Sequence, residues 1–136
     1  MRFTIPGEPV GKGRPRVVRR GGVTQSFTPQ KTVVYENLVK MCFRQQCRGG
    51  FFDGEALRMH LVMYYGLPKH DSKVRRQMKL DGETRPTKKP DIDNCIKVVA
   101  DALNGVAYRD DTQIVEVTAT KYYAAQPHVD VVIEVI

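Results

Sequence analysis

The sequence has no long apolar run, few cysteines and comparatively few acidic residues. None of its apolar stretches approaches the roughly 20 residues that a membrane-spanning helix requires, and residues 1–6 lack the apolar core of a signal peptide. The three cysteines, Cys42, Cys47 and Cys95, cannot all pair within one chain, and neither they nor the scattered histidines have the close spacing of a zinc site. We therefore expect reduced thiols, no zinc site and a cytoplasmic location.

The excess of basic residues gives the chain a formal net charge of +7 and a pI of about 9.5, with 22 Lys and Arg against 15 Asp and Glu. Such a balance favours an anionic partner, of which nucleic acid comes first and a membrane surface second. The basic residues concentrate in residues 11–22 and 69–89, and only Glu8 is acidic among the first twenty residues.

Residue periodicity and turn residues predict one α+β domain that spans residues 1–136, because no internal repeat or low-complexity linker divides the chain. Alternating apolar residues predict strands at residues 2–5, 23–28, 56–65, 113–123 and 128–136, the second of them in a hairpin around Gly21-Gly22. Capping residues and apolar stripes predict helices from Thr28-Pro29 to Gly49-Gly50, from 72 to 80 and from 91 or 92 to 104.

The apolar stripes also predict which face of each long helix is buried. The stripe of the first helix consists of Val34, Leu38, Met41 and Cys42. The stripe of the third consists of Ile92, Cys95, Ile96, Val99, Ala102 and Leu103, with Asn104-Gly105 as the C-cap. The last strand is predicted to bury Val129, Val131, Ile133 and Val135.

One stretch places acidic residues between basic segments, although a basic protein that binds an anion keeps few acids near it. Its acids are Asp91, Asp93, Asp101, Asp110 and Asp111. Mg²⁺ takes oxygen ligands, usually a few carboxylates with phosphate and water, and activates water for attack on a phosphate. Asp-x-Asp at a helix start and an acidic turn before the next strand therefore suggest a magnesium site. Lys97, one turn after Asp93, is suited to stabilise negative charge on a phosphate.

Each of these residues also has a structural interpretation. Asp91 or Asp93 alone is a favoured helix N-cap, and Asp93 with Lys97 has the spacing of an exposed ion pair. Asp110-Asp111 is compatible with a polar turn, and we favour a structural role for Asp101. Spacing alone therefore leaves the metal site and the structural interpretations open.

Two blocks of motifs in the correct order resemble the RusA family of Holliday junction resolvases, and the resemblance spans nearly the whole chain. The C-terminal block comprises residues 89–94 (KPDIDN), Lys97, residues 101–105 (DALNG) and residues 108–115 (YRDDTQIV). The N-terminal block comprises residues 7–9 (GEP), 12–16 (KGRPR), 27–32 (FTPQKT) and Tyr35-Glu36.

The resemblance implies a homodimeric, Mg²⁺-dependent endodeoxyribonuclease that resolves four-way DNA junctions by paired nicks in recombination and repair, with no membrane partner and no small-molecule cofactor. It implies a small α/β domain with a mixed sheet, whose dimer places two active sites on one face. The family's metal-binding aspartates correspond to Asp91, Asp93 and Asp111 and its catalytic lysine to Lys97, while Asp110 is adjacent. The basic segments are then predicted to contact DNA phosphates through Lys12, Arg14, Arg16, Arg19, Arg20, Lys69, Lys73, Arg75, Arg76, Lys88 and Lys89.

Phosphate contacts read no bases, so we expect recognition of a junction to depend on its shape. Two alternatives remain open at this point. One is a nuclease of the same fold that acts on flaps, replication forks or RNA, because shape recognition leaves no motif. The other is a DNA-binding protein that has lost catalysis, against which the intact set of Asp91, Asp93, Lys97 and Asp111 argues.

Overall fold

A computed structural model, which describes all 136 residues, contains six strands and three α-helices. The strands are β1 (Arg2–Pro6), β2 (Arg16–Arg20), β3 (Val23–Phe27), β4 (Leu57–Gly66), β5 (Ile114–Ala124) and β6 (His128–Val135). The helices are α1 (Gln30–Gln46), α2 (Lys73–Leu80) and α3 (Ile92–Ala102), and a short 3₁₀ turn covers Asp111–Gln113. No helix is both long enough and apolar enough to cross a membrane.

Four strands form one mixed sheet in the order β1-β6-β4-β5, while β2 and β3 form a separate two-stranded ribbon. β6 runs antiparallel to both β1 and β4, and β5 runs parallel to β4. Parallel neighbours need a crossover connection, and here the crossover contains α2 and α3. The architecture confirms the predicted α+β class and the mixed sheet, and it places α3 against the sheet beside β5.

The core lies on one face of the sheet. β4 alternates strictly, with Leu57, Met59, Leu61 and Met63 buried and the residues between them half-buried. This period of two is the one predicted for a strand with one buried face. Buried side chains of β1, β6, α1 and α3 join the same apolar cluster, so the sheet face fixes the two long helices in place.

The buried face of α1 differs from the predicted stripe. Val34 and Met41 are 59% and 49% exposed, whereas Cys42 is buried as predicted. The helix instead buries Thr32, Tyr35, Val39, Cys42 and Phe43. Its orientation follows its aromatic rings, because large rings gain most from burial; the Phe43 ring packs edge-on against Phe3, with centroids 5.4 Å apart.

The start of α1 corrects a second prediction. Pro29 has an extended backbone, with φ −55° and ψ 142°, and stands in the capping position, so the helix begins at Gln30. No side chain caps the helix, and the predicted Thr28 cap is therefore wrong. The fixed φ of proline suits both extended and helical backbone, which is why the Thr-Pro signal locates the start only to within a residue.

α3 also differs from its predicted stripe. Ile92 is 38% exposed because it stands in the open first turn, and Val98 is fully buried although the stripe omits it. The C-cap is Leu103, one residue before the predicted Asn104. At the end of β6, Val135 is 50% exposed, so the last predicted core position of that strand is wrong as well.

The cysteines are free thiols, as expected. Cys42 and Cys95 are buried and Cys47 is half-buried. Burial raises the pKa of Cys95 to about 11, so this thiol is neutral at physiological pH.

The hairpin predicted around Gly21-Gly22 is present as the β2–β3 ribbon. Arg20 pairs with Val23, and the two glycines between them have φ of 55° and 79°. A two-residue turn of this kind needs positive φ at both central positions, which glycine adopts without a steric penalty. Every residue of the two strands except Val18 is exposed, so the ribbon stands outside the core.

Candidate active site

The N-terminal end of α3 carries two free carboxylates. Asp91 stands at the N-cap with an extended backbone, but its side chain makes no capping hydrogen bond. Asp93 lies exposed in the first helical turn, and none of the ion pairs of the structure joins it to Lys97. Both carboxylates therefore remain available to another ligand at the positive end of the helix dipole.

The turn before β5 gives Asp110 a structural role. Its carboxylate accepts hydrogen bonds from the hydroxyl and the backbone N–H of Thr112, at 2.6 Å and 3.3 Å, and these bonds lower its pKa. The Gln113 side chain accepts from the backbone N–H of Asp110, which completes a capping box around the 3₁₀ turn. Asp111 is thus the aspartate of this pair whose side chain is left for chemistry.

Asp111 meets Asp101, which lies at the end of α3. The backbone N–H of Asp111 donates to Asn104 Oδ1 at 2.8 Å and so holds the turn against the helix end. Partial burial, a hydrogen bond with the Asp101 carboxyl and the negative charges of Asp110 and Asp101 raise the pKa of Asp111. Two carboxyls in contact need a proton or a cation between them. Asp101 and Asp111 line one cleft of about 300 Å³ together with Lys97.

The three predicted metal ligands do not form one cluster in this structure. Asp93 and Asp101 are eight residues apart in α3, which is about 12 Å along the helix axis. Asp111 lies at the Asp101 end, where its carboxyl interacts with those of Asp101 and Asp110. No three His, Cys, Asp or Glu side chains of the chain are placed to hold one metal ion. Carboxylate oxygens are the donors that Mg²⁺ prefers, so the donor chemistry fits, but the geometry supplies two separate acidic pairs.

A larger depression of about 800 Å³ lies beside the N-terminal end of α3. Asp91 and Asn94 line it together with Tyr65, whose hydroxyl donates to the Pro90 carbonyl at 2.6 Å. Its cations come from three segments that are distant in sequence, namely Lys12, Arg14, Lys31, Lys88 and Lys89. Asp91 thus faces a surface whose charge suits a polyanion.

The close approach of the N-terminal loop to α3 explains the glycines that flank Lys12. The Lys12 backbone N–H donates to the Asn94 carbonyl at 3.0 Å, and a Cβ at Gly11 would lie 3.0 Å from the Asn94 Cβ. A Cβ at Gly13 would lie 2.8 Å from the Thr32 hydroxyl of α1. Glycine lets the backbone pass at these distances, and Gly11 and Lys12 therefore line one side of the depression.

Lys12 itself is held by acids of two helices. Its Nζ lies 3.1 Å from Glu36 Oε1 of α1 and 3.4 Å from Asp101 Oδ2 of α3. Partial burial acts to lower the pKa of Lys12, but the two carboxylates outweigh burial and raise it. Arg14, the next cation of the loop, is exposed. Lys12 is therefore already paired, whereas the charge of Arg14 is free to bind a phosphate. A contact of Lys12 with DNA stays a prediction.

The other basic residues predicted to contact DNA are spread over separate elements. The exposed strand β2 carries Arg16, Arg19 and Arg20. Lys69 follows β4 and is exposed, and α2, which packs against β5 and buries none of its residues, carries Lys73, Arg75 and Arg76. Only Lys12, Arg14, Lys88 and Lys89 of the predicted set share a depression with Asp91.

Two residues at the site are ones that the sequence did not assign to chemistry. Lys31 lines the depression from the first turn of α1, and nothing in its spacing distinguishes it from a solvated lysine. The ion pair of Asp101 with Lys12 fits the structural role favoured above, but its contact with Asp111 also places it in the cleft. The available signal for Asp101 was its position one turn after Lys97 on the same helix face.

Known sequences match this chain over almost all of its length. The family model described as Endodeoxyribonuclease RusA matches residues 6–134. The chain is also similar to the uncharacterized protein YqaN of Bacillus subtilis (strain 168). The two are 36% identical over 135 residues, which cover 98% of this chain and 94% of that protein. Both matches cover α3 with the aspartates at its two ends, the 3₁₀ turn and the loop around Lys12.

Proposed function

This chain belongs to the RusA family of endodeoxyribonucleases, and on that premise we propose that it is a Mg²⁺-dependent, structure-selective nuclease that resolves four-way DNA junctions by paired nicks. The observation that carries the proposal is the juxtaposition of acids and cations around α3. Asp91 opens onto the cation-lined depression, and Asp111 shares a cleft with Lys97. Acids so placed would repel a phosphodiester unless cations offset their charge, which is the arrangement expected of a metal-dependent nuclease.

The proposed ligands of Mg²⁺ are Asp91, Asp93 and Asp111. Because the structure separates them into two groups, Asp91 with Asp93 and Asp111 beside Asp101, each group would hold Mg²⁺ with water and DNA phosphate as its further ligands. Mg²⁺ bound by such carboxylates would activate water and offset the charge of the scissile phosphate. The exposed Lys97 ammonium, in the same cleft as Asp111, is suited to bind a phosphate oxygen on which negative charge develops. Asn104 helps to position Asp111, because its side-chain oxygen accepts a hydrogen bond from the backbone N–H of Asp111.

The cations of the depression would bind phosphates on either side of the cut, which makes affinity dependent on salt but not on sequence. Substrate choice then depends on the shape of the DNA. A homodimer with a two-fold axis would present two such sites to the two cut strands of a two-fold junction, and this symmetry suits resolution in recombination and repair. We further propose that residues 1–136 act as one such domain in the cytoplasm.

A cleavage assay tests this function. Four-way, flap and linear DNA of shared sequence are incubated with the protein in Mg²⁺ and in chelator, and the products are resolved on denaturing gels. We expect paired nicks in the four-way DNA that require Mg²⁺. Preferred cutting of the flap would favour the alternative of a nuclease of the same fold with another DNA substrate. Binding without cutting would favour a DNA-binding protein that has lost catalysis.

The site assignment is tested by Asp93→Asn, which removes one carboxylate charge and keeps the shape of the side chain. We expect this variant to bind the junction and to lose cleavage, because its amide is a poor ligand for Mg²⁺. The matched control is Asp81→Asn, an exposed aspartate after α2, which should cut at the wild-type rate. Cleavage by Asp93→Asn at the wild-type rate would remove this residue from the site.

A further inference from the structure

The base of the β2–β3 ribbon contains a cleft that the proposed metal chemistry does not use. The cleft has a volume of about 480 Å³. On the ribbon side, Phe27 pairs with Arg16 across the two strands, and both line the cleft with Val18. On the other side it is lined by Thr28 and Pro29 and by the first two residues of α1, Gln30 and Lys31. The lining therefore combines the apolar Val18 and the aromatic Phe27 with two cations, Arg16 and Lys31.

Phe27 is poorly covered for an aromatic side chain. Its surface is 50% exposed, and that of Val23, farther along β3, is 58% exposed. Apart from each other, β2 and β3 make no extensive contact with a helix or strand. An isolated two-stranded ribbon is marginally stable in water, so the ribbon gains most from a partner that covers its apolar side chains.

The charge around the cleft identifies the chemistry of that partner. Between Glu8 and Glu36 the chain has no acidic residue and six basic ones, Lys12, Arg14, Arg16, Arg19, Arg20 and Lys31. Such a segment attracts a polyanion. The cleft also adjoins the proposed active site, because Lys31 lines both the cleft and the depression that contains Asp91.

We propose that this cleft binds one unstacked nucleotide of the DNA beside the branch point, with its base on the Phe27 ring and its phosphate between Arg16 and Lys31. This inference rests on the proposed function and extends it, because it names the element that distinguishes branched from linear DNA. Stacking on an aromatic ring tolerates any base, and arginine and lysine in the lining supply the phosphate contacts.

The same geometry gives selectivity for a branch. In continuous duplex DNA both faces of each base are covered by its neighbours, and a nucleotide must be unstacked and unpaired before it enters a cleft. That energy is smallest for a base that is already unpaired or poorly stacked, as at a strand exchange. The cleft therefore favours a junction over a duplex without any hydrogen bond to a base edge.

The test places 2-aminopurine next to the branch point of a four-way DNA. The fluorescence of this base is quenched by stacking on neighbouring DNA bases, so it rises when the base leaves the base stack. Wild-type protein is added to saturation in chelator, and a gel confirms that the DNA stays intact. We expect fluorescence to rise several-fold with the junction and to change little with a linear duplex that has the same probe and sequence. No rise with the junction, or an equal rise with the duplex, would overturn the proposal without use of any variant.

Variants then assign the signal to the cleft. Phe27→Ser should remove the rise in fluorescence at saturating protein, and Phe27→Tyr should keep it, because tyrosine retains the stacking ring. The matched control is Phe51→Ser, which replaces a phenylalanine that is 45% exposed outside the ribbon and should keep the signal. An unchanged signal in Phe27→Ser, or its loss in Phe51→Ser as well, would contradict the assignment.

The failure of this inference can be told from failure of the proposed function. A protein that cuts four-way DNA in Mg²⁺ but never raises the fluorescence has the function and lacks the nucleotide site. A protein that raises the fluorescence in a Phe27-dependent manner but never cuts has the nucleotide site and lacks the proposed catalysis. No residue of β2 or β3 is buried and Phe51 is 45% exposed, so the variants are expected to fold, and an unchanged thermal midpoint verifies this.

Discussion

Asp110 and Asp111 are neighbours in the chain, yet their carboxylates face different partners. Asp110 caps the 3₁₀ turn through Thr112, whereas Asp111 lies against Asp101 in the cleft that contains Lys97. The sequence places both acids in a turn before a strand but does not distinguish them, because the cap depends on the local backbone and the contact with Asp101 depends on tertiary packing. The family resemblance selects Asp111, and the hydrogen bonds give a physical reason for the same choice.

This difference predicts unequal effects of the same substitution at the two positions. Asparagine is also a good capping residue, so Asp110→Asn should leave both the thermal midpoint and the Mg²⁺-dependent cleavage rate close to the wild type. Asp111→Asn should keep the fold and lower the cleavage rate by roughly a hundredfold or more, because it removes a proposed ligand of the Mg²⁺ that would offset charge in the transition state. Single-turnover rates on four-way DNA at saturating Mg²⁺ measure both. Equal losses would mean that the two carboxylates share one role.

At the scale of elements, the sequence predicted which segments become strands and helices better than which side of a helix is buried. The buried face of β4 was predictable because apolar residues occupy every second position from Leu57, and only one face of a strand can bury them all. In α1 several apolar residues compete for the buried face, and tertiary packing of Tyr35 and Phe43 decides. The aspartates at the N-terminal end of α3 were likewise predictable from motif spacing. Their position beside the depression lined by Lys12 and Lys31 depends on the packing of the N-terminal loop and of α1.

The orientation of α1 predicts opposite results for two valines five residues apart. Val39 is fully buried, so Val39→Ala should lower the free energy of unfolding by about 2 kcal/mol, from lost apolar burial and the cavity that remains. Val34 is 59% exposed, and Val34→Ala should change the free energy of unfolding by less than about 0.5 kcal/mol. Urea denaturation of both variants measures the difference. A larger loss of stability in Val34→Ala than in Val39→Ala would support the buried face of α1 that the sequence predicts.

On the scale of the whole molecule, the net charge of +7 hides an uneven distribution. Cations of the N-terminal loop, of α1 and of the segment before α3 meet around one depression beside Asp91. The cations of α2 lie on another element, which packs against β5. The sequence separates the chain into basic segments, but only the fold decides which of them share a face with the acidic residues.

Two charge-matched double variants distinguish a local DNA-binding face from a general effect of positive charge. Lys88→Ala/Lys89→Ala and Lys69→Ala/Lys73→Ala each remove two positive charges. The carbonyl of Lys88, which accepts a hydrogen bond from Lys121 Nζ at 2.7 Å, survives the first variant because it belongs to the backbone.

Binding to four-way DNA is measured in chelator over a range of salt concentrations. If both residues of the first pair contact phosphates, the slope of log affinity against log salt should fall by about 1.8 in that variant, since each phosphate contact contributes about 0.9. The second variant tests the phosphate contacts that the sequence predicts for Lys69 and Lys73. Because these lysines do not line the depression with Asp91, we expect it to keep nearly the wild-type slope. An equal fall of the slope in both variants would mean that the DNA-binding face extends across α2. The cations around the depression would then no longer be enough to explain how the DNA is positioned for cutting.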